Sequence, residues 1–382
     1  MEKQTRFTHI ARPKIKQSGP VNHPITRAST ILLERAQDLY RSDLRTYGRH
    51  GTAVHTALSE AFCLLEGGTG ASLTPSGLSA CTLAILNFVS SGDHILISDS
   101  SYGPVRKFTQ GFLSRMGVKA EFYDPHIGAD IEKLILKNTA LIWLESPGSL
   151  TFEIQDIPAI TTIAKAKNIP TIIDNTWSAG LSLQPLSLGV DVSVQAATKY
   201  IGGHSDIMFG AVISKSQAHA NRVANTCRSL GLATSSDDAY QMLRGFRTLV
   251  HRFDSQAKTA FELAQWLTRQ DDVSHVLHPA LPTHPNHDIW ARDFTGGGCV
   301  FGVVLTKRSP KNVENFINAL TLFGIGFSYG GFESLAIHCD PQLKRQRDPE
   351  LSGPLIRFAC GLEAVSDLKA DIKAAFHKAA SS

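Results

Sequence analysis

The chain has 382 residues, 42% hydrophobic and 19% charged, so it can bury a large core, and its length suggests two domains or one with a smaller companion. Its 38 basic and 34 acidic residues leave a net charge of +4, too weak and too evenly spread for a nucleic-acid binder. No apolar run approaches the ~18 residues of a membrane span, and the 15 histidines include no HExxH pair and no compact cluster that would hold a metal.

Residues 1–50 are rich in proline, arginine and polar side chains without sustained periodicity, and read as an extended arm. The first seven residues lack the apolar stretch of a secretory signal. Residues 53–66 form an amphipathic helix closed by Gly67 and Gly68. The neighbouring Gly68-Thr69-Gly70 lacks a third glycine and follows a helix, which excludes a dinucleotide-binding loop. A turn over 74–79 opens an apolar helix over 80–89. Continuous apolar runs over 93–98, 140–144, 170–173 and 190–194 have strand length, and helical segments such as 157–167 lie between them. Unbroken apolar strands alternating with helices indicate a parallel sheet covered on both faces. A long helical segment over 238–269 leads to a Gly/Pro/His-rich region, then a strand over 299–305 and a helix over 312–322. The expected division is an arm (1–50), a large domain (51–240) and a small C-terminal domain (241–382).

Two minor features read blandly. The basic run at 344–347 is followed by Asp348 and Glu350 and suggests a solvated loop. The six cysteines include no CxxC pair and several sit in apolar stretches, as reduced thiols of a cytoplasmic protein would.

The chemistry concentrates where the apolar strands end. Lys199 follows the run 190–194 and is itself followed by Gly202 and Gly203; Asp174 ends the run 170–173. Ligands of parallel sheets bind at the carboxyl ends of strands, so Lys199, Asp174, Tyr102 and Glu145 should converge there. A lysine to condense with an aldehyde and an aspartate to pair with a pyridinium nitrogen are what pyridoxal phosphate (PLP) requires. Burial would lower the lysine's pKa and equip it as a base. The turn Thr74-Pro75-Ser76-Gly77-Leu78-Ser79 serves either as a plain N-cap through Ser76 or as a helix N-terminus aimed at a phosphate.

From Val21-Asn22-His23-Pro24-Ile25 through the stretch 172–210 to Leu355-Ile356-Arg357-Phe358, the chain resembles the Cys/Met-metabolism family of PLP enzymes. The resemblance implies an α/β fold of type I, like aspartate aminotransferase, with a mostly parallel sheet in the large domain. It places Gly77, Leu78 and Thr198 on the cofactor phosphate and Tyr102 stacked on the ring near the substrate amine. It sends Tyr47 and Arg49 to the phosphate site of a neighbouring subunit, with Tyr47 also near the substrate. It assigns the substrate carboxylate to Arg357 with Ser328 as helper, and puts Tyr329 beside the substrate. A homotetramer built from dimers is implied, with an amino-acid thioether as substrate and neither nucleic acid nor membrane as partner.

Within the family, the matches around Asp156-Ile157-Pro158 and Asn175-Thr176-Trp177, and a bulky Tyr329 where γ-acting members carry leucine, favour β-elimination. The implied reaction is cleavage of L-cystathionine to homocysteine, pyruvate and ammonia, a step of methionine biosynthesis. Alternatives are γ-lyase or γ-synthase chemistry, β-lysis of cysteine or its conjugates, and a PLP-binding regulator, against which the full set of reactive residues argues. His50 stands where the resemblance places an arginine, and Lys107 where it places an acid, both toward the distal end of the substrate.

Overall fold

The computed structural model describes residues 2–15, 17–41, 43–306 and 310–380. Its larger sheet holds β1 (Gly70–Thr74), β2 (His94–Ser98), β3 (Lys119–Tyr123), β4 (Thr139–Glu145), β5 (Thr171–Asp174), β6 (Val192–Gln195) and β7 (Gly210–Ser214), in the order β1-β7-β6-β5-β4-β2-β3. Strands β3, β2, β4, β5 and β6 pair in parallel, and β7 runs antiparallel between β6 and β1. All residues of β2, β5, β6 and β7 are buried, which is why these segments are rich in apolar residues on both faces. The second sheet has the order β10-β11-β12-β9-β8, with β8 (Val273–Leu277), β9 (Val300–Leu305), β10 (Gly324–Ile325), β11 (Leu335–His338) and β12 (Leu355–Ala359).

The helices are α1 (Lys3–His9), α2 (Ala53–Glu66), α3 (Gly77–Leu86), α4 (Gly103–Lys107), α5 (Ile157–Ala166), α6 (Gln217–Ser229), α7 (Ser236–Phe246), α8 (Leu249–Leu267), α9 (His287–Asp293), α10 (Pro310–Ala319) and α11 (Val365–Ala380). Local chemistry sets their ends. Thr52 and His55 form a capping box at the start of α2, and Gly67, at φ 74°, closes it in the left-handed conformation that glycine adopts without strain. Asp156 caps α5 through the amide of Ala159 at 3.2 Å. Among the described residues no helix is long and apolar enough to cross a membrane.

Three expectations need correction. The segment 238–269 is two helices, α7 and α8, rather than one. Phe246 and Leu249 are fully buried on either side of the break, and Arg247 turns its guanidinium to the carbonyls of Thr8 and Ile10. The arm is not wholly extended: α1 inserts Phe7 and Ile10 into the core, with Phe7 stacked on Phe246 at 6.3 Å. The basic run 344–347 is not simply solvated. The Arg345 side chain is 8% exposed and pairs with Glu153, and the amides of Gln346 and Arg347 donate to the Asp99 carboxylate. Buried acids 192 and 247 residues upstream supply the counter-charges and acceptors that make this loop fold inward.

One apolar cluster draws residues from both sheets, including Leu144, Ile173, Val300 and Leu355. Trp177, just beyond β5, donates from its indole Nε1 to the carbonyl of Val300 on β9 at 3.0 Å. The carboxyl ends of β4, β5 and β6 therefore face the second sheet, and the candidate site lies there.

Candidate active site

Asp174 is the last residue of β5 and is buried. Its Oδ1 accepts from the Thr176 amide at 3.0 Å and the Thr176 hydroxyl at 2.6 Å, a local turn of the kind a strand-end Asp-Asn-Thr favours. Its Oδ2 faces the thiol of Cys81 on α3 at 3.7 Å. Burial raises the carboxyl's pKa, against the opposing pull of these donors and of the Lys199 charge.

Lys199 lies four residues past β6, and its Nζ donates to Ser328 Oγ at 2.9 Å. The same Nζ sits 5.2 Å from the ring centroid of Tyr329. Burial, and then the neighbouring Arg357 charge, lowers its pKa to about 8. The amine is thus a base near neutrality.

Arg357 is on β12, which lies between β11 and β9 in the interior of the second sheet. Its Nη2 donates to the carbonyl of Ser328 at 2.9 Å, its guanidinium is 5.9 Å from the Tyr329 ring centroid, and its buried Nε has no hydrogen-bond partner among the described residues. An arginine with donors to spare in a buried site suits a planar carboxylate. Ser328, which both cations touch, has φ 134°, a region that non-glycine residues rarely occupy and that clusters at functional sites.

The N-terminus of α3 approaches from the other side. Ser76 caps it through the Ser79 amide at 3.1 Å, and the first intrahelical bond runs from Ala80 to Ser76, so the amides of Gly77 and Leu78 precede it. A Cβ on Gly77 would lie 2.4 Å from that of Ala196, so only glycine lets the helix start approach the segment that carries Lys199. Leu78 is exposed. The Thr198 hydroxyl is engaged with the Phe209 backbone, accepting from its amide at 2.8 Å and lying 3.2 Å from its carbonyl. Tyr102 is 44% exposed, and its amide donates to Glu145 Oε2 at 2.7 Å.

Tyr47 and Arg49 stand apart. Tyr47 bridges to Thr30, and Arg49 reaches the Arg228 carbonyl at 3.5 Å. Both are exposed, as are His50 and Lys107. Sequence reasoning gave no role to Cys81, Glu66 or Arg345. It expected Glu145 at the strand ends without assigning it work. Glu145 pairs with Asp174 in the β4/β5 register, and burial, then the Asp174 charge, pushes its pKa well above the usual carboxylate range. The signal for Glu145 was its place at the end of an apolar strand; Glu66 gave no such signal, since a glutamate ending a helix is ordinarily solvated. Among the described residues no His, Cys, Asp and Glu side chains gather as a metal site would require.

These residues fit PLP. Among the described residues the Oδ2 of the buried Asp174 carboxylate meets only a thiol, and a ring N–H⁺ would supply a strong donor. A buried amine, a helix N-terminus with free leading amides, and an arginine with an unpartnered Nε complete the set for ring, phosphate and substrate carboxylate. A mostly parallel sheet with lysine and aspartate at adjacent strand ends defines a PLP-dependent enzyme of the α/β type. The chain belongs to the family described as Cys/Met metabolism PLP-dependent enzyme, which it matches over residues 4–377.

It is 42% identical to the cystathionine β-lyase of Bordetella avium, with 95% of this chain and 93% of that one covered. It is 38% identical to the cystathionine β-lyase MetC of Escherichia coli, with 97% of each covered. An L-alanine/L-glutamate racemase of Wolbachia pipientis is 36% identical, over 98% of this chain and 97% of its own. The crystal structure of cystathionine γ-lyase from Lactobacillus plantarum, complexed with L-serine, superposes with a TM-score of 0.92 at 27% identity, covering 100% of both chains.

Proposed function

We propose that this enzyme is a carbon–sulfur β-lyase that converts L-cystathionine and water to homocysteine, pyruvate and ammonia, in methionine biosynthesis. The observation that carries the reading is the convergence of Lys199 and Arg357 on Ser328, which sets a base beside a carboxylate anchor. An α-amino acid gripped by Arg357 would present its Cα to Lys199. Bound through Lys199, PLP supplies a sink for the electron pair left when the Cα proton is removed.

The chain's own groups do the rest. Arg357 fixes the substrate carboxylate by a two-point contact, with Ser328 beside it and Tyr329 behind both cations. Lys199 Nζ, as a neutral amine, would take the Cα proton. With PLP bound, Asp174 would hold the proton of the ring nitrogen, and the amides of Gly77 and Leu78, with Thr198 beside them, would hold the phosphate. Tyr102, whose amide donates to Glu145, would cover the ring. The thiolate leaves Cβ and is protonated, and the three-carbon enamine hydrolyses to pyruvate and ammonia. Two relatives that share most of the chain's length are named for this activity.

The arm (1–50) carries Tyr47 and Arg49 to a neighbouring subunit's site, beside a large domain (51–240) and a small one (241–382). Both side chains are exposed in their own chain, which leaves them free to meet another subunit and supports that reading. The assembly is a homotetramer of two dimers. A cytoplasmic location accords with the six unpaired cysteines.

The test is the keto acid released from L-cystathionine by purified, PLP-loaded protein. Pyruvate with homocysteine is expected; 2-oxobutyrate with cysteine would make the enzyme a γ-lyase. Neither product, with active racemisation of alanine or glutamate, would place it with its Wolbachia relative.

A further inference from the structure

Glu66 ends α2 and is buried. Its two carboxylate oxygens accept from Asn175 Nδ2 at 3.1 and 3.0 Å, and Oε1 also accepts from Gln195 Nε2 at 2.5 Å. Asn175 directly follows Asp174 on β5, and Gln195 ends β6, four residues before Lys199. Gln195 Nε2 additionally donates to the Asn175 carbonyl at 2.9 Å, and Asn175 Oδ1 accepts from Ser178 Oγ at 2.5 Å. One buried side chain from a helix thus holds the ends of the two strands that carry the reactive pair.

The donors around it are the side-chain amides of Asn175 and Gln195, with the Ser193 hydroxyl adding to their pull toward the anion. The charged group whose field acts on Glu66 is Asp174, and that field disfavours the anion. Among the described residues no cation from α2, β5 or β6 enters the balance; burial is the largest influence, and the carboxyl's pKa rises to about 7. An ionised carboxylate suits two amide donors, whereas protonation would set an O–H against them.

We propose that Glu66 is a positioning residue for the reaction: as a carboxylate it ties Asn175 to Gln195 and thereby fixes Asp174 relative to Lys199. The inference rests on the reading of those two residues as the PLP anchors. Glu66 touches neither cofactor nor substrate. It acts through the strand ends, so its loss should be felt first in how tightly the apoenzyme takes up PLP.

The experiment measures the Kd of PLP for apoenzyme from pH 6 to 9, in the wild type, Glu66→Gln and Gln195→Leu. Taking the ratio of variant to wild type cancels titrations of Lys199 and of the PLP phosphate, which all three share. Above pH 7 the wild type has the tie and both variants lack it; below pH 7 all three lack it. For Glu66→Gln the ratio is therefore expected to climb from near 1 at pH 6 to about 10 at pH 8.5, the weight of a hydrogen bond to a charged group; for Gln195→Leu, which also loses the bond to the Asn175 carbonyl at every pH, it starts above 1 and climbs by a similar factor. A ratio flat across this range, whether at 1 or above it, overturns the proposal, since a merely structural Glu66 would weaken PLP uptake equally at every pH. Lys199→Ala is run alongside: if it still forms the lysine-linked chromophore, the underlying anchor assignment is wrong. If it does not and the ratios are flat, only the role of Glu66 fails.

Discussion

Lys199 and Ser328 meet at 2.9 Å, the amine donating to the hydroxyl of a residue held at φ 134°. The strained serine thus meets the base through its side chain and Arg357 through its carbonyl. Lys199→Ala should lose turnover by at least about a thousandfold together with the lysine-linked cofactor absorbance. Ser328→Ala should keep that absorbance and lower kcat/KM by about tenfold, since one hydrogen bond is lost and no covalent group. Steady-state kinetics with absorbance spectra check both.

The lowered pKa of Lys199 has a direct readout. The neutral amine is the form that condenses with an aldehyde, and with a pKa of about 8 it is half populated at that pH. The rate at which apoenzyme takes up PLP should rise through pH 8 and level off above about 9. An ordinary lysine would still be gaining at pH 10. Stopped-flow absorbance across this range decides, and a midpoint near 10 would mean that the amine is not desolvated.

Arg357→Lys should raise KM for cystathionine by roughly 10- to 100-fold with a smaller change in kcat, because an ammonium cannot reproduce the planar two-point contact. The matching substrate ester, which lacks the carboxylate, should discriminate far less between wild type and variant. Equal losses on acid and ester would remove Arg357 from the carboxylate.

Arg345→Met should destabilise the fold by about 3 kcal/mol, the cost of leaving a buried acid without its partner. The Arg345 and Glu153 side chains are 8% and 14% exposed, so solvent replaces little of the lost contact. Denaturant unfolding measures this. The double change Arg345→Met with Glu153→Met should recover much of the loss, because no unpaired charge then remains.

Much of the fold was legible in the chain because its signals are local. The capping box at Thr52 and the glycine at 67 bracket α2 at the predicted residues, and the apolar runs ending at Asp174 and before Lys199 mark β5 and β6. The break between α7 and α8 was not legible, since helical periodicity continues across residues 246–249 and packing against the first ten residues decides where the chain bends. Arg345 looked like one of a solvated run because its acid partner is 192 residues away in sequence.

The same division runs through the site. By itself the sequence determined which residues end strands, and therefore that a lysine, an aspartate and a glutamate would stand at the carboxyl edge of one sheet. Hydrophobic period and turn chemistry act over a few residues, and they suffice for that. Only the tertiary structure decided what surrounds those groups: Cys81 against Asp174, Ser328 between Lys199 and Arg357, and Glu66 across two strand ends. Desolvation and hydrogen bonding by residues distant in the chain set how each group ionises, and neither exists before the sheets have closed on one another.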